Sequence, residues 1–431
     1  VPKYGAASES ALVLRAGLAL NDIVSRDRND GVSPSRRLPR GRALDSGELE
    51  RLAPGAFPAH RAGVLFHDAQ LYSAERLVLA VLDDAVRAGA VVANYAEAMD
   101  PLLERDALAG VVVEDRVRGG RFDVRAAMIV NAAGAGAATI ASRLARRATA
   151  VPPMTGLALN LMLAGDAPPA AFAVMSREGG RRRRLFVVPW RGRTLVGTAH
   201  YACASAPHGA DAHETYVEQF VREVATAWPA RSITRDTVLL VHAGVQPLHE
   251  LRGPPAHRIV DHAREGLPQL VSAIGPKLTT ARAIAEQLVD VVCARLGRSA
   301  RPCDTATAPL ASAPADDVEV VTARVLAAER CGLPNDVVTH LVRSYGAAYD
   351  ALIAMVRQRP ALGARLDTGS PVIAAELAHG AREEMAMRAE DLVCRRTELG
   401  PTARATSAIR AAAEDQLRFV ASPGERGSRN R

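Results

Sequence analysis

The sequence is poor in aromatic side chains, 4% of 431 residues, and its five cysteines (Cys203, Cys293, Cys303, Cys331 and Cys394) stand far apart with no CxxC pair. An odd number without paired spacing indicates neither a disulfide framework nor a zinc site, so no metal is expected and a reducing, cytoplasmic setting fits best. No run of about 18 uninterrupted apolar residues is present, so no membrane-spanning helix is expected. Peripheral contact with the inner face of the cell membrane stays open. The first ten residues, VPKYGAASES, have neither a basic leader with an apolar core nor an initiating methionine, and read as the interior of a longer protein. The arginine run at residues 181–184 has no interleaved aromatic ring on which bases could stack, so nucleic acid is not an expected partner. The net charge of +7 would suit an anionic ligand, but an excess of arginine beside abundant alanine and glycine reads as coding bias.

What is present is the composition of a multi-domain globular protein, 48% hydrophobic and 23% charged. Residues 11–25 repeat apolar side chains at helical spacing. Residues 73–92 predict a helix capped by Ser73 and ending near Gly89, after which Val91 and Val92 open a strand. Three short strands follow, in LAGVVVEDR, GGRFDVRA and AMIVNAAG. Residues 151–200 read as antiparallel β, with a tight turn at residues 191–193, and 213–228 as an amphipathic helix. TVLLVHAGVQPL, HRIVDH and LPQLVSAIG return as strands, and a helix runs from Lys277 to about Leu296 on a stripe of Ile284, Leu288, Val291 and Val292. Beyond a Pro/Ala/Ser linker at about 301–316 the pattern is wholly helical, with a polar tail after Phe419.

Two glycine turns carry chemistry. A dinucleotide fingerprint needs a strand, GxGxxG, a helix and an acid about 20 residues on. In residues 128–141, MIVNAAGAGAATIA, Thr139 replaces the third glycine and no carboxylate follows at that distance. The turn instead follows a β-meander, a place where a small residue lets backbone pass close to a cofactor. In SAIGPKLTTARAIAEQLVD a buried strand ends at Gly275 and Thr279 or Thr280 caps a helix. The free amides and positive end of that helix can receive an anion or an electron-rich carbonyl, with Lys277 at the mouth.

Five segments, LFHDAQLYSAERLVLAVLDDAVRAGA, VNAAG, VPWRGRTLVGTAH, SAIGPKLTTARAIAEQLVD and AREEMAMRAEDLVCRRTELG, occur in the order seen in FAD-dependent glycerol-3-phosphate dehydrogenases. They resemble that family's YDAQ helix, pre-flavin turn, IPW-GRTLVGTTD hairpin, GGKLTTYR helix start and C-terminal REEMA…RRT pattern. The resemblance spans roughly residues 1–400. It implies an α/β flavoprotein: an incomplete glutathione-reductase-type FAD domain, an antiparallel β substrate domain and a C-terminal all-α domain. The expected boundaries are 1–150 for part of the FAD domain with part of the substrate domain, and 151–243 for the substrate sheet. The FAD domain returns at 244–300, the helical domain spans 301–420, and the tail is 421–431.

The resemblance also implies FAD as cofactor. Asn131, Ala132, Ala133 and Gly134 would pass near its pyrophosphate or ribose, and Gly275, Lys277, Leu278 and Thr279 would meet the isoalloxazine edge. Arg258 in HRIVD matches an arginine that holds substrate phosphate. His200 and His242, at strands facing the substrate region, are candidates for proton removal. The implied activity is oxidation of a secondary alcohol, in first place sn-glycerol 3-phosphate to dihydroxyacetone phosphate, with hydride transfer to flavin N5 and electrons passing to quinone or another acceptor.

Three departures bear on that expectation. The family's N-terminal GxGxxG unit is missing from these residues; its GVRPL motif reads here with Gln246 in place of arginine; and its KGSH segment ends here in Ala158. These changes leave two alternatives, a flavin enzyme of the same fold with a different hydroxy or amino substrate, and a catalytically inactive remnant or interaction protein.

Overall fold

A computed structural model describes residues 11–57, 62–152, 156–176, 183–203, 214–246, 257–275, 277–314, 316–327 and 332–421. Thr155, residues 181–182 of the arginine run, Pro247, Leu248, Pro276, Ala315 of the linker and residues 422–431 of the tail lie outside these.

The chain opens with α1 (Ala11–Val24), then β1 (Arg42–Asp45), α2 (Ser46–Leu52) and β2 (Ala62–Leu65). Asp45 and Glu48 cap α2 reciprocally, each side chain taking the other's backbone N–H. The next helix, α3 (Ala74–Arg87), starts as the sequence predicts, with the Ser73 hydroxyl accepting from the Arg76 N–H. The strand expected at Val91 and Val92 is not formed. Val91 is 97% exposed, and the chain turns at Tyr95 (φ 55°) before β3 (Ala96–Glu104) begins.

The meander β3, β4 (Ala107–Asp115) and β5 (Arg121–Arg125) forms its own antiparallel sheet. β3 tolerates Pro101 because it is an edge strand, where one side needs no ladder hydrogen bonds.

The strand β6 (Ile129–Asn131) and the helix α4 (Ala137–Ala145) follow. Next come β7 (Gly156–Leu163), β8 (Phe172–Ser176), β9 (Arg183–Trp190), β10 (Arg193–Ala202), α5 (Glu214–Ala227) and β11 (Val238–Gln246). The five strands form one antiparallel sheet in the order β11-β7-β10-β9-β8. β7 alternates: Leu157, Leu159, Leu161 and Leu163 are at most 1% exposed in a core that also takes Val217, Phe220 and Val224 of α5. Each fully buried leucine contributes about 1.5–3 kcal/mol relative to an exposed one. The opposite face carries Ala158, Asn160, His200, His242 and Gln246.

A further sheet, in the order β12-β13-β6, joins β12 (Arg258–Asp261) antiparallel and β6 parallel to β13 (Leu270–Ile274). β13 is buried throughout, with Ile274 packing toward Ala137 and Ala141 of α4 and Val271 toward Ile284 and Leu288 of α6 (Ala281–Arg295). Helices on both faces are what a run such as LVSAI requires. Val291 and Val292, expected in the buried stripe of α6, are only half-buried.

The C-terminal domain comprises α7 (Val318–Ala327), α8 (Asn335–Tyr345), α9 (Tyr349–Gln358), α10 (Ala374–Glu383) and α11 (Ala389–Asp391), which continues as a π-helix over Leu392–Arg396. The last helix, α12 (Ser407–Ala421), buries Ile409 and Ala413 against Leu377 and Leu392.

A buried polar network docks this domain onto the rest. Arg191, in the β9–β10 turn, sets its guanidinium 3.3 Å from Glu398, with both side chains about 5–6% exposed, and donates to the Tyr72 carbonyl. The Tyr72 hydroxyl meets His340 Nδ1 at 3.0 Å, and His340 Nε2 lies 3.0 Å from Glu376, which also accepts from Tyr345. Arg76 pairs with Glu384 at 2.7 Å and stacks 3.9 Å over the Tyr345 ring. Burial, then the nearby Glu398 charge, pushes the Tyr72 phenol up to about 12, so it stays protonated.

Replacing Arg191 by Ala leaves Glu398 buried without its cation, and is expected to lower stability by about 3–5 kcal/mol in urea unfolding; a loss below about 1 kcal/mol would contradict the network's role. Burial disfavours a charged His340, but Glu376 and then Glu398 outweigh it and raise its pKa above the ordinary 6.5. The stability it contributes is therefore complete below about pH 6.5 and declines as pH rises through the higher folded value. Wild type should lose more stability than His340→Gln between pH 6 and 9. Parallel pH profiles of the two proteins would refute this.

Candidate active site

Because β6 and β13 run parallel, their carboxyl ends open on one edge, and antiparallel β12 starts at that edge, with Arg258 opposite Ile274. Ligands of open α/β sheets collect at this kind of edge. Here it presents the turn at residues 132–134, Gly275, Lys277 and Arg258, all exposed.

Each turn leads into a helix. The residue preceding α4 is Gly136, which has no side chain to cap it, and the Thr280 hydroxyl before α6 donates back to the Lys277 carbonyl rather than accepting from the helix. The capping expected of Thr279 or Thr280 is thus not made. The first N–H groups of both helices lack side-chain caps, an arrangement that favours negative charge.

The side chain of Asn131 points inward. It is 4% exposed, and its amide donates to the Ala137 carbonyl at 2.8 Å and the Ser272 hydroxyl at 3.0 Å. Its carbonyl accepts from the Ala133 N–H. Ser272 continues to His262 Nε2 at 2.8 Å, and His262 Nδ1 meets Glu265 at 2.6 Å; an ionised carboxylate only accepts, so the ring donates. The side chain of Asn131 ties the two strand ends together, and only the backbone after it faces outward.

Gly134 has φ +54° with no protein atom within 4 Å of where a Cβ would stand, so backbone conformation rather than crowding by protein calls for glycine. A Cβ on Gly275 would meet Ile284 Cδ1 at 2.7 Å; there glycine lets α6 approach the strand.

The outer face of the five-stranded sheet meets this edge. Across β10, β7 and β11, His200, Ala158 and Gly244 lie in one register row, with Gln246 opposite Gly156 in the next row of that face. The small residues leave room, and Gln246 Nε2 comes 2.6 Å from His200 Nδ1. Burial, then the positive charges of Arg183 and Lys277, lowers the His200 pKa below its ordinary 6.5. His242 sits two residues from that row. Its Nε2 donates to the Pro401 carbonyl at 3.1 Å and its ring meets Trp190 edge-on, so it faces the C-terminal domain. No group of side chains suited to a metal occurs among the described residues, and no helix among them is long and apolar enough to cross a membrane.

The family model described as FAD dependent oxidoreductase matches residues 18–291, and that described as the C-terminal domain of alpha-glycerophosphate oxidase matches residues 303–417. The chain belongs to the FAD dependent oxidoreductase family. It is 29% identical over 418 residues to a glycerol-3-phosphate dehydrogenase of Synechocystis sp., covering 93% of this chain and 73% of the relative. It is 27% identical to a probable mitochondrial glycerol-3-phosphate dehydrogenase of Dictyostelium discoideum, spanning 80% of this chain but only 56% of that protein. The structure of a Bacillus halodurans glycerol-3-phosphate dehydrogenase complexed with FAD superposes with a TM-score of 0.69 at 23% identity, over 88% of this chain and 74% of that one, and shows the shared fold.

As a FAD dependent oxidoreductase, the chain offers residues that fit the cofactor: two helix starts without side-chain caps on one edge, open space beside Gly134 and, at Lys277, an ammonium that pairs with no carboxylate among the described residues. Of 54 basic residues only Lys3 and Lys277 are lysines. That scarcity is a sequence signal that isolates Lys277. A second signal was missed. The family hairpin GRTLVGTTD places aspartate where His200 stands, and GVRPL places arginine where Gln246 stands. The structure shows those two positions in contact.

Asn131→Ala would leave Ser272 and the Ala137 carbonyl short of a donor, and is expected to destabilise by about 1–3 kcal/mol in thermal melts. Ala132→Ser, on the exposed turn, should melt with wild type. Equal melting of all three proteins would refute the strut.

Proposed function

We propose that this chain binds FAD and oxidises a secondary alcohol on a small anionic substrate, in first place sn-glycerol 3-phosphate to dihydroxyacetone phosphate, with quinone or another acceptor taking the electrons. The observation that carries this is the edge shared by β6 and β13, where two strand-to-helix turns open together and Lys277 and Arg258 are exposed. Bound at that edge, the flavin supplies a hydride acceptor at N5.

The protein's own groups then have separate tasks. The α6 amides and Lys277 favour negative charge on the ring edge nearest them. Arg258 pairs with no carboxylate among the described residues, and its planar guanidinium suits a phosphate or carboxylate. His200, kept neutral by burial and by neighbouring cations, is suited to accept the hydroxyl proton as the C–H hydride leaves.

Gln246 favours a second reading, the same chemistry on a different hydroxy or amino substrate. One guanidinium of the phosphate motif is absent, and the amide replacing it is engaged by His200. Each lost charge-assisted hydrogen bond weakens anion binding by about 1.5–3 kcal/mol, or about ten- to a hundredfold.

Purified protein should carry a flavin absorbance band, which glycerol 3-phosphate bleaches anaerobically. Bleaching only by unphosphorylated hydroxy or amino acids selects the second reading, and colourless protein that FAD does not stabilise rejects both. Arg258→Ala should raise the KM for the bleaching substrate by about ten- to a hundredfold with a smaller change in kcat. An unchanged KM excludes its role as anion holder.

A further inference from the structure

We infer that Gln246 is a positioning residue for His200: its side-chain amide holds Nδ1 of the imidazole, so that Nε2 faces the reaction edge as the proton acceptor. The inference rests on the oxidation proposed above but turns on a different observable, the state of the His200 ring.

The first support is geometric. Gln246 Nε2 lies 2.6 Å from His200 Nδ1, across a row of the sheet left shallow by Gly156, Ala158 and Gly244. The second is chemical. A carboxamide is both donor and acceptor, and its two orientations look almost alike in outline. With N–H toward Nδ1, the orientation the structure holds, it stabilises the tautomer protonated at Nε2, so the proton-accepting state needs the carboxamide turned by half a turn. With its oxygen toward Nδ1 it stabilises the tautomer with a free lone pair at Nε2, the one able to take a proton.

Arginine at 246 would only donate. It would hold Nδ1 as an acceptor and force the remaining proton onto Nε2, removing the base. A histidine base at 200 therefore excludes arginine at 246. The aspartate and arginine of the family pattern are an acceptor-only and a donor-only group; His200 and Gln246 replace them as a pair in which each member can do either.

The charged groups facing His200 among the described residues are Lys277, from the turn after β13, and Arg183 of β9, whose Nη1 donates to the His200 carbonyl while Nη2 pairs with Glu223 of α5. Gln246 adds no charge to that set. Bound FAD would supply the two-electron acceptor for the hydride; of this chain's own groups, His200 Nε2 would take the hydroxyl proton as the C–H bond gives up its electron pair, leaving a carbonyl on the substrate and one proton on His200.

The test compares wild type, Gln246→Glu and Gln246→Arg in the full chain with FAD added, using ¹⁵N shifts of the imidazole, assigned against a His200→Asn sample. Gln246→Glu should raise the proton affinity of His200 by about tenfold or more, as a carboxylate in contact does. Gln246→Arg should lower it and shift the neutral ring toward the Nε2-protonated tautomer. Identical titrations and tautomers in all three proteins overturn the inference.

The pH dependence of flavin reduction at saturating substrate is the second arm. Its acid limb should move upward with Gln246→Glu, in step with the imidazole, and a limb that stays put while the ring shifts overturns the proton-accepting role. Absence of flavin reduction in every variant, with the ring behaving as expected, would refute the oxidation itself and not the pairing.

Discussion

The parallel pairing of β6 with β13 is the constraint on which the rest turns. Only in that register, with Asn131 beside Ser272, do two strand-to-helix turns open on the same edge. A shift by one residue would place Asn131 on the other face, where its amide would reach neither Ser272 nor the first turn of α4. The buried run from Asn131 through Ser272 and His262 to Glu265 makes such a shift costly, because each member would be left without a partner. The edge that presents Lys277, Arg258 and the turn at 132–134 is a consequence of these inward-facing polar groups.

The C-terminal domain is held by equally polar means. Tyr72 and Arg76 come from YSAER, Arg191 from WRGR, Glu384 from REEM, and Arg396 and Glu398 from RRTEL. These stretches lie in segments that carry the family resemblance, and they give the docking network Arg76, Arg191, Glu384, Arg396 and Glu398. Buried pairs of this sort add little net stability compared with apolar packing, but they tolerate only one arrangement, since any misplaced partner leaves a buried charge. The network therefore fixes where the β9–β10 hairpin sits. That hairpin leads directly into the strand bearing His200, so the helical domain helps hold the sheet face that the chemistry needs.

Much of the fold was legible in the sequence because its elements bury one face. The leucines of β7 alternate, α5 shows helical spacing, and β13 is a short apolar run; each pattern follows from what the element packs against. Where packing is one-sided or weak the pattern failed. Val91 and Val92 have strand propensity but lie in an exposed loop, and β3, interrupted by Pro101, hides its strand character at the sheet edge. α12 falls in the stretch read as helical but was not singled out, because its fully buried residues among those described are only Ile409 and Ala413.

The site was legible in part. Glycines and Lys277 marked the edge, but nothing local shows which way a polar side chain points, so the inward tie made by the Asn131 amide was not legible. His242 and His200 were indistinguishable as strand histidines; only the register reveals that one meets Pro401 and the other Gln246.

The contact between His200 and Gln246 also explains how two charged positions could be lost together without harm to the fold. Exchanging arginine alone would leave an aspartate beside a neutral amide, and exchanging aspartate alone would set an arginine against an imidazole already facing Lys277 and Arg183. Either single change leaves a local excess of one sign; the double change removes one charge of each sign and keeps a hydrogen bond. Net charge at the edge is therefore conserved while its distribution is not. Lys277 and Arg258 stand on the side of the parallel strands, while on the sheet the charge of Arg183 beside His200 is balanced by Glu223. On the proposed function Arg258 would take the anionic group of the substrate and the imidazole its hydroxyl, because the cation of β9, Arg183, is already paired with Glu223.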